Sequence, residues 1–359
     1  MKTGFEEGFS TAPFSLPKAE KQALLFKRLH ELSLHHQQHC VAYQRILAAQ
    51  QCDLASLTEL DALPFLPVSL FKQLTLSSVP DDHIVKTMTS SGTSGQQVSR
   101  IYLDKNTAAL QQKVLIKIVS DFIGAARLPM LIIDSPAVMK DRAMFSARGA
   151  GILGFSMFGA DRAYALDEEM NLNHDVLAAF LQKHAGKPLL LFGFTFMVWQ
   201  HFYKALEACA GRYDLSQATL IHGGGWKKLQ VQAVSAAAFA QRLNDVCGIT
   251  RVSDYYGMVE QTGCISMQCE QGHLHASLYS DVIIRDPQDF SVCPVGQAGI
   301  IQVLSALPES YPGHSLLTED EGILLGEDTC PCGRMGKYFQ VLGRIKNAEI
   351  RGCSDTYAA

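Results

Sequence analysis

Residues 189–225, LLLFGFTFMVWQHFYKALEACAGRYDLSQATLIHGGG, decide the fold. The stretch opens on the apolar run Leu189-Leu190-Leu191-Phe192, continues through a segment near 196–209 without turn formers, and closes on Ala218-Thr219-Leu220-Ile221. Short apolar runs bounded by turn residues read as buried strands, and the longer segment between them reads as a helix. Working outward, a helix is expected near 106–122, a strand at Met130-Leu131-Ile132-Ile133 and a further helix near 172–184. Strands that alternate with helices predict an α/β fold with a largely parallel sheet.

Residues 17–50 repeat apolar positions at helical spacing (Leu24, Leu25, Leu29, Leu32, then Val41, Ile46, Leu47), which predicts one or two amphipathic helices. Their polar side carries His30, His35, His36 and His39, expected to face solvent. Toward the other end, Ser280-Asp281-Val282-Ile283-Ile284-Arg285 and Gly299-Ile300-Ile301-Gln302-Val303-Leu304 read as strands joined by the turns at Pro287 and Pro294, so a small β-rich subdomain is expected. No internal repeat or low-complexity segment is visible.

The chain has 359 residues, 47% hydrophobic and 18% charged, enough to bury a large core and too apolar to be disordered. Acidic and basic residues are mixed along it and the formal net charge is -4, so nucleic acid is not an expected partner. The opening residues MKTGFEEGFSTAPFS lack the apolar stretch of a secretory signal, and no apolar run approaches the roughly 18 residues that span a bilayer. A soluble, cytoplasmic protein without a membrane span is expected. Ten cysteines in a chain of this size point to free thiols, metal ligands or a reactive thiol rather than a disulfide framework.

Four groups of residues can carry chemistry. Thr89, Ser90, Ser91, Gly92, Thr93, Ser94 and Gly95 pack hydroxyls and glycines into a loop whose N–H and O–H groups can surround phosphate oxygens; a solvated linker has the same composition. It is not a Walker A loop, because no Lys-Ser/Thr pair follows Gly95. Gly223, Gly224 and Gly225 directly follow a strand, where backbone without side chains lets a flat ligand approach; an ordinary strand-to-helix turn is the alternative. In Asp254-Tyr255-Tyr256-Gly257-Met258-Val259-Glu260, Tyr256 could stack on a base, Gly257 let backbone approach it and Glu260 hold Mg²⁺, although a core Tyr-Gly turn would look alike. Cys330 and Cys332 form a Cys-x-Cys turn, and Cys269 with His275 offers a second pair; two such pairs can build a structural Cys₃His zinc site. His273 could replace His275 there, and four unrelated loop residues are the alternative.

The eight residues from Thr89 to Gln96 resemble the phosphate-binding loop of the acyl-adenylate-forming (ANL) superfamily, with Gln97-Val98-Ser99-Arg100 where that family usually has Pro-Lys. Tyr256 to Glu260 resembles its Tyr-Gly-x-Thr-Glu signature, with Val259 in place of threonine and Thr262 nearby. The resemblance makes Gly223–Gly225 the adenine wall, sets Asp320 of Thr318-Glu319-Asp320 on the ribose and puts Arg344 of Gly343-Arg344 at a hinge. Within the superfamily the chain looks most like the LuxE-like acyl-protein synthetases of bacterial fatty-acid reductase systems. The shared elements are Thr89 to Gln96, Phe192-Gly193-Phe194-Thr195, Tyr256 to Gln261 and Glu349-Ile350-Arg351-Gly352-Cys353-Ser354-Asp355. Related phenylacetate-CoA ligases have elements similar to the two Cys/His pairs.

That resemblance implies the large-domain fold of adenylate-forming enzymes with a small β-rich subdomain. Only Ile345 to Ala359 follow the hinge, so most of the mobile C-terminal domain is expected to be lacking. It implies an adenylation core over 1–310 and a β-rich end with a short tail over 311–359. ATP and Mg²⁺ would serve as cofactors, with catalytic roles for Glu260, Arg344 and Cys353. A long-chain fatty acid would become acyl-AMP with release of pyrophosphate. The acyl group would then form a thioester on Cys353 and pass to a reductase partner. An acyl- or aryl-CoA ligase and a non-catalytic nucleotide-binding scaffold are the alternatives, and apart from the resemblance Cys353 is a lone thiol near the end of the sequence.

Overall fold

A computed structural model describes residues 10–90, 98–140, 147–209 and 211–345. Fourteen strands run in chain order: β1 Leu66–Pro67, β2 Ile84–Thr89, β3 Arg100–Asp104, β4 Leu128–Ile133, β5 Gly159–Tyr164, β6 Leu189–Phe194, β7 Ala218–Gly223, β8 Arg251–Tyr256, β9 Ser266–Gln268, β10 Leu274–His275, β11 Ser280–Arg285, β12 Ala298–Ser305, β13 Ser315–Glu327 and β14 Lys337–Arg344. The main helices are α1 Lys18–His39, α2 Val41–Ala49, α3 Lys105–Ile123, α4 Ala147–Ser156, α5 His174–Lys183 and α6 Ala236–Cys247.

One large sheet takes the order β11-β12-β13-β14-β10-β9-β8-β7-β6-β4-β5, with β1 added in parallel to β13. From β5 to β8 every pairing is parallel, and from β8 through β9 to β11 every pairing is antiparallel. The expected α/β architecture with a β-rich part is present, and that part is hydrogen-bonded into the same sheet through β9 and β10. Parallel strands need helical crossovers that cover their faces, which is why β4 and β6 are buried nearly throughout and read as apolar runs. The edge strand β5, Gly159-Ala160-Asp161-Arg162-Ala163-Tyr164, escapes that pattern because an edge tolerates charge.

The parallel half has its own core, in which Phe155 stacks on Phe192 at 4.3 Å between ring centres. The antiparallel half has a second core that also draws on α2, β1 and β3. The segment expected to be helical near 196–209 is helical but irregular, with a π-helical turn over Val198–Tyr203 between short α-helical pieces. The wider turn sets Trp199 against Tyr203 with ring centres 4.6 Å apart. Among the described residues no helix is long and apolar enough to cross a membrane.

The expectation that the histidines of α1 face solvent is corrected for His36, which is fully buried. The polar face of α1 lies against carbonyls and loops of the antiparallel half rather than water. Lys21 Nζ donates to Ala276 O at 3.0 Å and lies 3.4 Å from Asp281, which Lys337 also reaches at 2.9 Å. Arg28 donates to Ala306 O at 3.1 Å and pairs with Glu309. His36 meets Ser78 Oγ at 2.7 Å and Pro308 O at 3.1 Å, and its ring stacks on His314 at 5.0 Å. His35 and His30 reach the carbonyls of Glu309 and Leu54, while His39 is exposed.

Burial holds His36 well below its ordinary 6.5 and pushes His314 down to about 3, with the nearby Arg28 guanidinium acting in the same direction on both. A depressed histidine binds fewer protons folded than unfolded, so its stability contribution is intact above pH 6.5 and is lost as pH falls from there toward the folded value. Each of the two should remove up to about 1.4 kcal/mol per pH unit in that window. Urea unfolding from pH 7 to pH 5 should show this slope, and His314→Gln should flatten it; an unchanged slope in the variant would contradict the assignment.

Candidate active site

The site forms where the sheet changes from parallel to antiparallel pairing. Tyr255 and Tyr256 end β8 beside Met267 and Ser266 of β9, and strand alternation sends their side chains to opposite faces. Tyr256 donates to Asp320 Oδ2 at 2.8 Å, and its ring lies edge-on to Phe339 at 6.0 Å. Burial first, and then the Asp320 carboxylate, push the Tyr256 phenol well above its ordinary value, so it stays protonated as the donor. Across the β13–β14 ladder, Asp320 opposes Arg344. Arg344 Nε lies 3.7 Å from Asp320 and Nη2 3.0 Å from Glu319, with the guanidinium about one-third exposed at 33%. Tyr256, Asp320 and Arg344, distant in sequence, therefore meet.

Gly257 follows Tyr256, and a Cβ there would lie 2.8 Å from Ile265 Cγ2, so the turn needs the missing side chain. Glu260 sits in the short 3₁₀ turn Val259–Gln261 and is 1% exposed. The turn is held from several sides: Tyr311 donates to Glu260 O at 2.9 Å, and Gln261 Nε2 donates to Gly313 O at 2.8 Å and Val303 O at 3.1 Å. Thr262 donates to Val259 O at 3.0 Å and approaches Met88 Sδ at 3.9 Å. That contact brings up the hairpin β2–β3, which pairs Thr89 with Arg100, while Ser90 and Ser99 close its mouth through Ser90 N–H to Ser99 O at 3.2 Å and Ser99 N–H to Ser90 Oγ at 2.9 Å. Ser91, Gly92, Thr93, Ser94 and Gly95 lie outside the described residues, as does Cys353.

The glycine turn closes β7, next to Phe194 of β6 and Tyr255 of β8. A Cβ on Gly223 would fall 2.6 Å from the Tyr255 ring, and one on Gly224 would fall 2.8 Å from the Phe194 ring. Gly224 and Gly225 both take positive φ, +85° and +68°, which side chains resist. Phe194 stands in an element shared with the acyl-protein synthetases, but its contact with the glycine turn, like that of Tyr255, is not expected from sequence; the register of β6 and the alternation within β8 are the signals that point to it. The apolar stretch from Phe192 to Trp199 is buried throughout, in the core beneath this edge.

Cys269, His275, Cys330 and Cys332 also come together, their donor atoms all within 4.8 Å of one another. Cys269 Sγ is 3.9 Å from Cys330 Sγ, and Cys332 Sγ is 3.4 Å from His275 Nε2. Four ligands about 2.0–2.3 Å from a tetrahedral zinc stand at such separations, so the donor set and its spacing fit the ion. His273 Nδ1, 3.3 Å from Cys330 Sγ, lies at the margin of the cluster, stacked on Tyr338.

Known proteins share this architecture. An open conformation of 2-hydroxyisobutyryl-CoA ligase, solved in complex with 2-HIB-AMP and CoA, superposes with a TM-score of 0.69 at 16% identity over 96% of this chain and 79% of that one; at such identity the likeness shows the fold alone. The long-chain-fatty-acid–luciferin-component ligase of Vibrio harveyi is 24% identical over 307 residues, covering 82% of this chain and 77% of that protein. Its counterpart of the same name from Aliivibrio fischeri is 22% identical over 353 residues, covering 96% and 91%. The family model described as "Acyl-protein synthetase, LuxE" matches residues 6–359, nearly the whole chain, which therefore belongs to the LuxE acyl-protein synthetase family.

Proposed function

We propose that this protein activates a long-chain fatty acid with ATP and then carries the acyl group as a thioester on Cys353 for delivery to a reductase. The observation that carries the reading is the meeting of Tyr256, Asp320 and Arg344, residues far apart in sequence, where the sheet changes its pairing. Family membership and the names of the relatives from Vibrio harveyi and Aliivibrio fischeri favour a long-chain fatty acid as the substrate.

In the first step a carboxylate oxygen attacks the α-phosphorus, the α–β phosphoanhydride bond breaks, and pyrophosphate leaves. The loop from Thr89 to Gly95 surrounds the phosphates, and Gly223, Gly224, Gly225, Tyr256 and Gly257 take the adenine. Asp320 accepts from the ribose hydroxyls, and Arg344, tethered by Glu319, adds positive charge beside them. Glu260 is the carboxylate of this turn that would hold Mg²⁺, which supplies charge neutralisation for the phosphates. The chemistry is positioning and electrostatics, because the first step needs no covalent group from the protein.

In the second step the Cys353 thiolate attacks the acyl carbonyl, the bond to the AMP oxygen breaks, and AMP leaves while the thiol proton passes to solvent. This step rests on the resemblance of the tail. The reading divides the chain into an adenylation core, 1–310, and a β-rich end with the tail, 311–359, and runs in the cytoplasm. Cys269, His275, Cys330 and Cys332 would hold a structural zinc, which would tie β10 to the turn between β13 and β14.

Incubation with ATP, Mg²⁺ and a radiolabelled long-chain fatty acid, without CoA, should leave hydroxylamine-labile label on the denatured wild type and at least about tenfold less on Cys353→Ser, with pyrophosphate release retained. Transfer only to added CoA would make the protein a CoA ligase, and no pyrophosphate release would leave a nucleotide-binding scaffold. Purified protein should contain about one equivalent of zinc, and Cys330→Ser should lose it and melt at lower temperature. Wild type free of zinc when purified from zinc-replete cells would contradict the site.

A further inference from the structure

His222 precedes the glycine turn and has no part in the chemistry above. In the register of the parallel strands, Gly193 of β6, His222 of β7 and Asp254 of β8 stand side by side. Thr195, two residues beyond Gly193, is buried, as is His222, and Phe239 of α6 packs on the imidazole with ring centres 4.7 Å apart. Thr195 Oγ1 lies 2.9 Å from His222 Nδ1 and 3.2 Å from Gly223 O. The hydroxyl has one hydrogen, and a carbonyl oxygen can only accept. Thr195 therefore donates to Gly223 O, and its oxygen accepts from His222, which must carry its proton on Nδ1. Burial pushes His222 down to about 3, so the ring is neutral and Nε2 is bare. Asp254 Oδ1, buried and without a hydrogen-bond partner among the described residues, lies 3.6 Å from the same Nδ1.

We propose that Thr195 and His222 are positioning residues that lock the Gly223 carbonyl and so set the shape of the Gly223–Gly225 turn against which the nucleotide binds. The physical reason is that the turn cannot hold itself. Gly224 and Gly225 sit at positive φ with no side chain to anchor them, and glycine is the most freely rotating residue. The fixed point is the carbonyl just before them, and its partner is a hydroxyl oriented by a histidine whose tautomer is dictated by that same hydroxyl. A lock of this kind acts on nucleotide affinity rather than on the bond-making atoms. The inference rests on the nucleotide site proposed above.

The test uses full-length protein and ATP binding by calorimetry, which does not depend on the identity of the acid. Thr195→Val keeps the side-chain shape and deletes the hydroxyl. It should weaken ATP binding about tenfold, the equivalent of one buried hydrogen bond. With an active acid it should raise the KM for ATP by a similar factor and change kcat by less than about twofold. Thr195→Ser should restore both. Nitrogen-15 NMR of wild type should find His222 protonated on Nδ1, and Thr195→Val should shift it toward the Nε2 tautomer, a change that mere loss of packing would not produce. Unaltered ATP affinity in Thr195→Val, or an Nε2-protonated His222 in wild type, overturns the inference. ATP binding without acid-dependent pyrophosphate release in wild type would instead overturn the proposed reaction and leave the binding comparison valid; absence of ATP binding overturns both.

Discussion

The change of pairing between β8 and β9 is the constraint on which the rest of the structure depends. Parallel strands must be joined by crossovers, so the C-terminal ends of β6, β7 and β8 lie along one edge and deliver Thr195, the glycine turn and Tyr256 to it. Antiparallel strands return directly, so beyond β9 the sheet brings back β13 and β14 with Asp320 and Arg344 in register. A wholly parallel sheet would have needed further crossovers to do the same. Residues far apart in the chain thus reach one place because the sheet changes rule there.

Polar packing, as much as apolar burial, couples the N-terminal helix to the antiparallel half. Lys21 is buried to 2% exposure, and burial lowers its pKa even though Asp281 lies beside it. A buried cation is tolerated only when paired and hydrogen-bonded, and Lys21 has both Asp281 and the Ala276 carbonyl. Together with Arg28, His36 and His314 it forms an interface that specifies one docking of α1, since sliding the helix by a turn would strand several buried polar groups at once. The carboxylate of Asp281, shared with Lys337, makes the same point from the sheet side.

Much of this was legible in the sequence, for identifiable reasons. The buried parallel strands β4, β6 and β7 are continuous apolar runs, which periodicity finds readily, and β11 and β12 are apolar enough to be found as well. The strands β5, β8 and β13 were missed because an edge position or a polar face interrupts their apolar pattern. His36 of α1 was misread because helical spacing tells which residues share a face and not what that face meets. Of the site, Tyr256, Asp320, Arg344 and the four Cys/His residues come together, and their motifs could be read because each is contiguous in sequence. The packing of Phe194 and Tyr255 on the glycine turn and the Thr195–His222 pairing were not read, because they lie in register across three strands that sequence order keeps apart.

The central claim is that this crossing of the sheet makes an acyl-adenylate. The most direct measurement uses a fatty acid labelled with oxygen-18 in its carboxyl group and follows the label by mass spectrometry after turnover with ATP. Attack on the α-phosphorus followed by thioester formation leaves one labelled oxygen in AMP, and that is the predicted result. Label in inorganic phosphate with ADP as the other product would mean an acyl-phosphate route and would contradict the account.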